Sequence, residues 1–218
     1  MAWRWPWAEL DWCFGAKLAE ASEAFQQSLL ICRKIGHQGQ ITGRLAGLVR
    51  VVNDQGEYDQ AQRWGNEALI IARPLGSPVY LAHILYSLGE TAYKTDNFPA
   101  ARRYLMEAIS VTAKANLHAY LLITLFHYAQ LLFRESKAKP GLSEQNDEEK
   151  QTKAFMLFTL VQNHPACWQV YKARSVQSQA ALATQLPPPV LAAAKAHTDN
   201  HTLDQIVAEI LESSSLGV

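Results

Sequence analysis

Apolar residues recur along most of this chain at intervals of three and four, as in Leu85, Leu88, Gly89 and Ala92. That spacing is the stripe of an amphipathic helix and not the alternation of a strand. A self-comparison at fixed offset shows that the pattern repeats every 40 residues without a gap. Leu18, Tyr58 and Phe98 coincide, as do Ala21, Ala61 and Ala101, and Ile31, Ile71 and Val111. The companion halves coincide too, in Leu45, Leu85 and Leu125 and in Leu48, Leu88 and Tyr128. A fixed period of this length means stacked supersecondary units, here two helices each.

The pattern predicts first helices over 38–54, 78–94 and 118–134 and second helices over 18–34, 58–73 and 98–114. At 1.5 Å per residue each is about 25 Å long. Gly36, Gly56 and Gly76 fall at turns, Ser77 is placed to cap the helix that Pro78 opens, and Pro99 suits another helix start. Pro74 is expected to end or kink its helix, because its ring removes a donor and restricts Arg73. Gly89 and the alanines at 61, 68, 101 and 108 predict close approach between helix backbones, with Tyr58, Trp64, Phe98 and Tyr104 filling the remaining volume.

Beyond the third pair, the polar stretch 135–150 reads as a loop inserted in the fourth unit, followed by a helix over 148–162. Helices over 166–184, 189–197 and 203–212 are expected next, the last introduced by a capping-box pair, Thr202 and Gln205. These divide the chain into repeats over 1–162 and a helical cap over 163–218 that closes the end of the stack. Met1 aligns with position 41 of the next unit, so the first unit is expected to be truncated. Trp3, Trp5, Trp7 and Trp12 then form either a surface for a preceding repeat or an N-terminal cap folded back on the stack.

Composition narrows the function. Twenty Lys+Arg balance twenty Asp+Glu, so the chain lacks the broad positive field that nucleic acid or an anionic membrane selects. Arg33-Lys34 and Arg102-Arg103 are short, separated pairs that read as solvated helix surface. Charges interrupt every apolar run well before the roughly 20 residues of a membrane span. Cys13, Cys32 and Cys167 are odd in number and lack C-x-x-C spacing, so neither a disulfide framework nor a zinc site is indicated. With no signal-peptide pattern near Met1, a cytoplasmic location is expected. The sequence holds no G-x-x-x-x-G-K-[ST], H-E-x-x-H or G-x-S-x-G, so the reading is a non-enzymatic protein without a cofactor. His197 and His201 stand four apart with Asp199 between them, but 198–201 reads as a helix break, and no metal site is expected.

The run Leu88, Gly89, Ala92, Tyr93, Phe98, Ala101, Leu105 and Ala108 resembles a tetratricopeptide repeat, with its leucine-glycine pair on one helix and its spaced alanines on the next. HEAT-like repeats share the 40-residue length but lack this arrangement. The resemblance implies an all-α, right-handed solenoid of antiparallel helix pairs whose first helices line a concave groove. Residues expected to face an open groove are Arg50, Asn53, His83, Tyr86, Glu90, Tyr93, Phe126, Gln130, Phe133 and Arg134, flanked by Asp54 and Lys94. This set offers hydrogen bonds and aromatic area suited to a peptide or protein partner. The tail, through His164-Pro165, Leu186-Pro187-Pro188 and the alanines at 192 to 194, is similar to the C-terminal sensor arm of bacterial nucleotide-switch regulators of the maltose-regulator type. That likeness implies a role in signal transduction or transcription regulation, with preceding repeats or a nucleotide-switch domain as neighbours. A stand-alone assembly scaffold and an intracellular receptor for a short signalling peptide are the alternatives.

Overall fold

The computed structural model describes residues 18–138 and 144–215, which form ten α-helices and no strand. They are α1 (Leu18–Ile35), α2 (Gln38–Gln55), α3 (Tyr58–Leu75), α4 (Pro78–Lys94), α5 (Phe98–Lys114), α6 (His118–Ala138), α7 (Glu144–Asn163), α8 (Gln169–Ala183), α9 (Pro188–Asn200) and α10 (Leu203–Ser215). Each packs on the next through α8, while α2, α4 and α6 stand side by side as one layer. The chain is an all-α solenoid of the tetratricopeptide-like kind in which helices pack pairwise. The tryptophan-rich stretch before Leu18 lies outside the described residues.

The turns fall every twenty residues. Gly36, Gly56 and Gly76 hold positive φ (75°, 83° and 63°), and Asp96 and Asn116 hold the same left-handed conformation at 58° and 53°. A residue at that point reverses the chain and lets its amide close the preceding helix, as Gly56 does on the carbonyls of Val52 and Asn53. Glycine adopts this conformation freely, and Asp and Asn tolerate it best among the others.

Small residues set the spacing between helices. Ala61, Ala68, Ala101 and Ala108 are all completely buried. A Cβ on Gly89 would lie 2.7 Å from Cγ and Cδ2 of Leu105, and one on Gly65 would lie 2.4 Å from Cδ2 of Leu88. Both glycines therefore receive a leucine from the neighbouring helix. The outer helices are tied by an ion pair that recurs at the repeat: Arg33 with Glu67, then Arg73 with Glu107, each residue 40 positions from its counterpart. Arg73 holds Glu107 through both guanidinium ends, Nη1 to Oε1 at 2.8 Å and Nη2 to Oε2 at 3.0 Å.

Several boundaries differ from expectation. The 135–150 stretch is mostly helical, since α6 runs to Ala138 and α7 begins at Glu144, with 139–143 outside the described residues. Glu135 pairs with Arg102, and Gln151 Nε2 donates to Ser136 Oγ at 3.3 Å, so contacts across α5, α6 and α7 stabilise a polar sequence already rich in helix formers. Pro74 does not end α3, which continues to Leu75 and is closed by Gly76. Ser77 occupies the N-cap of α4, but its hydroxyl makes no capping bond. The box at α10 does form: Thr202 N donates to Gln205 Oε1 at 2.8 Å and Gln205 N donates to Thr202 Oγ1 at 3.3 Å.

The C-terminal helices continue the stack. α8 packs on α7 and touches α6, α9 returns to α7, and α10 reaches back to α5. One core cluster runs from Ala82 and Tyr86 through Phe126, Phe158 and Tyr171 to Ile206 and Val207 without a break at residue 163.

Candidate functional site

The first helices α2, α4 and α6 carry the residues expected to line the groove, and they present half of them to a shared interior. Tyr86 is fully buried on α4. Its ring stacks on His83 of the same helix (centroids 5.2 Å apart, 23°) and on His127 of α6 (5.8 Å, 8°). Phe126 is also fully buried, meeting Phe158 edge-on at 5.7 Å and Tyr171 at 5.4 Å. Asn53 is buried between α2 and α4, where its Oδ1 accepts from Thr91 Oγ1 at 3.0 Å and its Nδ2 donates to the Ser87 carbonyl at 3.4 Å. Asn53, His83, Tyr86, Glu90 and Phe126 are thus interior residues, and the open trough expected at these positions is closed.

The closure comes from α8. Its Tyr171 abuts Phe126 and His127, its Arg174 lies 4.9 Å over the Phe126 ring, and Trp168 just ahead of it meets Tyr120 at 6.2 Å. Arg50 on α2 is near enough to Tyr171 to oppose the rise that burial gives that phenol's pKa. α8 thus extends the row α2, α4, α6 and completes the wall around Tyr86. Tyr171 and Arg174, three apart on one helical face, were the available sequence signal for this, but the stretch reads equally well as a terminal cap.

Charge inside this wall is arranged around Glu90, which is 5% exposed. Burial works against its ionisation, but His127, Lys94 and Arg174 outweigh burial and hold its pKa at about 2. Lys94 Nζ is 3.3 Å from Glu90 Oε1, donates to the Asn53 carbonyl at 3.2 Å and reaches Asp54 at 3.5 Å. Burial pushes His127 down to about 4 and, with help from the Arg50 charge, His83 down to about 3. Both imidazoles are neutral at pH 7, which leaves Lys94 and Arg174 as the charged partners of Glu90 at that pH.

The other expected groove residues stay within reach of solvent. Arg50, Tyr93, Gln130, Phe133 and Arg134 are half-buried. Arg134 lies 5.2 Å over the Tyr93 ring and pairs with Asp96 at 2.9 Å, and Lys137 lies 4.1 Å over Phe133. Tyr93 and Phe133 are 40 apart, as are Lys94 and Arg134, so the C-terminal ends of α4 and α6 repeat an aromatic next to a cation. On the opposite, outer face, Leu30 and Ile70 are exposed at equivalent positions, as are Ile35 and Leu75. No helix among the described residues is long and apolar enough to cross a membrane.

Among comparisons with known proteins, the family model described as a tetratricopeptide repeat matches residues 41–114. No curated protein and no solved structure matches the chain. The stretch from α2 to α5 is therefore similar to tetratricopeptide repeats, which in general mediate protein–protein interaction and scaffolding and are not enzymes.

Proposed function

We propose that this protein is a non-enzymatic repeat module that binds a protein or peptide partner along the rim formed by the C-terminal ends of α4 and α6. The observation that carries this reading is the recurrence, one repeat apart, of a half-buried aromatic beside a cation: Tyr93 with Lys94 and Phe133 with Arg134. Flat rings give contact area at small entropic loss, and the more exposed Arg134 suits backbone carbonyls or carboxylates of a bound chain, while Lys94 is held on Glu90, Asp54 and the Asn53 carbonyl. Arg50 and Gln130 extend the same polar edge. Asn53, His83, Tyr86, Glu90 and Phe126 act behind it by fixing the positions of α2, α4 and α6.

The finer role is a sensor or scaffold arm of a cytoplasmic regulator in signal transduction or transcription. It rests on the likeness of the tail to such arms and on the exposed Leu30, Ile31 and Ile35 of α1, where further structure has apolar surface to pack against. A partner would act by linkage, shifting the stack no further than its affinity difference between two curvatures.

The test is quantitative capture from cell extract with wild-type protein and with Phe133→Ser/Arg134→Glu as paired baits. Partners held by the wild-type chain should fall away from the double variant while helicity holds, and Arg134→Glu alone, which leaves the Phe133 packing in place, should weaken capture at an unchanged melting temperature. Identical partner sets for both baits would rule the rim out.

A further inference from the structure

A second cluster lies at the far end of the molecule, where α9 turns into α10. α9 does not break at Thr198 as its sequence suggests but continues to Asn200, which brings His197 and His201 onto one face, one turn apart. Their rings stack at 3.9 Å and 17°. The Thr202–Gln205 capping box fixes the start of α10, and Glu209 two turns along it returns toward both rings. Its carboxylate spans them: Oε2 is 3.2 Å from His197 Nε2 and Oε1 is 3.9 Å from His201 Nε2. One donor atom from each of the three residues lies within 4.8 Å of the other two.

We propose that His197, His201 and Glu209 bind a divalent cation of the zinc class. Two imidazole nitrogens and a carboxylate oxygen are a recognised zinc donor set that leaves a fourth position open. Tetrahedral bonds of about 2.0–2.1 Å place donor atoms about 3.3 Å apart; His197 Nε2 already stands 3.2 Å from Oε2, His201 Nε2 stands 3.9 Å from the other oxygen, Oε1, and because the two rings lie nearly parallel one of them turns for both lone pairs to meet a single ion. The hydrogen bonding of His201 supports the same assignment. Its Nδ1 lies 2.8 Å from the carbonyl oxygen of His197, which can only accept, so Nδ1 carries a proton and, in the neutral ring, Nε2 is left as the metal-binding nitrogen on the side of Glu209. Orientation of a ligand imidazole through its other nitrogen is the usual outer support of a metal site.

The setting also suits a bound ion. His197 and Glu209 line a cavity of about 500 Å³ whose walls include Tyr128, Met156, Ile206 and Ile210. Lys153 shares this lining, and its ammonium pairs with Glu149 at 2.9 Å. A third to a half of each ligand side chain is exposed, which gives the ion a way in. The fourth position would face the cavity or solvent, and the ion would join α9 to α10 and so hold the last helix on the stack.

The proposal is tested on the untagged full chain, stripped with chelator and titrated calorimetrically with zinc chloride. One zinc per chain is expected, with His197→Ala, His201→Ala and Glu209→Gln each weakening binding by at least the roughly 10- to 100-fold that outer-support substitutions cause. X-ray absorption of the zinc-loaded wild-type protein is the check that needs no variant. Nitrogen and oxygen neighbours at about 2.0–2.1 Å support the site, and sulfur at about 2.3 Å would assign the ion to cysteine and overturn it. Absence of zinc uptake, or uptake unchanged when all three substitutions are combined, would also overturn it and leave the cluster as a histidine–carboxylate pair.

Discussion

The His127 ring lies flat on the Tyr86 ring, 5.8 Å between centroids and 8° from parallel, joining α6 to α4 in a site closed to water. Burial keeps His127 neutral down to about pH 4 and His83 down to about pH 3, whereas both take up a proton near 6.5 in the unfolded chain. The unfolded state therefore binds more protons below pH 6.5, and stability falls as pH drops from there toward 4. Glu90 adds to the loss as pH falls from 4.5 toward 2, because its folded-state pKa is depressed. For His127 alone the loss is of the order of 3 kcal/mol. Urea unfolding between pH 8 and pH 4.5 measures it, and His127→Phe should flatten the slope.

Gly89 supports a second prediction. With Leu105 occupying the space where a Cβ would stand, Gly89→Ala gains helix propensity of about 1 kcal/mol but forces the leucine aside. Overpacking of this kind costs about 1–3 kcal/mol, so a net loss is expected. Adding Leu105→Val should recover much of it, and thermal denaturation of both variants decides the point.

Gly56 gives a contrast in which space plays no part. Nothing lies within 4 Å of a Cβ built there, yet its φ is +83°. Gly56→Ala should therefore cost about 1–2 kcal/mol from the backbone alone, and Gly56→Asn should cost less. Chemical denaturation of the two variants separates conformation from packing.

The outer ion pairs should matter little despite their regular spacing. Arg73 and Glu107 are bidentate but about half and a third exposed, so Glu107→Ala should cost less than about 1 kcal/mol and less still at high salt. Melting at low and high ionic strength checks both.

Much of the fold was legible in the sequence for physical reasons. A helix that buries one stripe must repeat its apolar residues at three and four, and a stack must repeat its contacts from unit to unit, so Tyr58 and Phe98 or Ala61 and Ala101 reveal the architecture. Gly89 was legible because glycine inside a helix is unfavourable unless a neighbour needs the room. The site was less so. Periodicity shows which face of α4 is apolar but not which later helix covers it, and α8 brings Tyr171 and Arg174 to Phe126 and Arg174 near Glu90. The outcome was to seal five of the ten residues expected in an open groove. The run from Thr198 to His201 looked like a break because its residues favour turns, but the His201 ring bonds to the His197 carbonyl at the end of the helix.

The even placement of turns at 36, 56, 76, 96 and 116 bears on how such a chain can change length. Three successive turns enclose one inner and one outer helix, so duplicating a 40-residue block in frame would add a unit whose buried alanines and outer Arg–Glu links find counterparts in its neighbours. Duplicating any fraction of that block would rotate every later face out of register. Growth of this protein by whole units, and not by gradual extension of a helix, is the route its geometry leaves open.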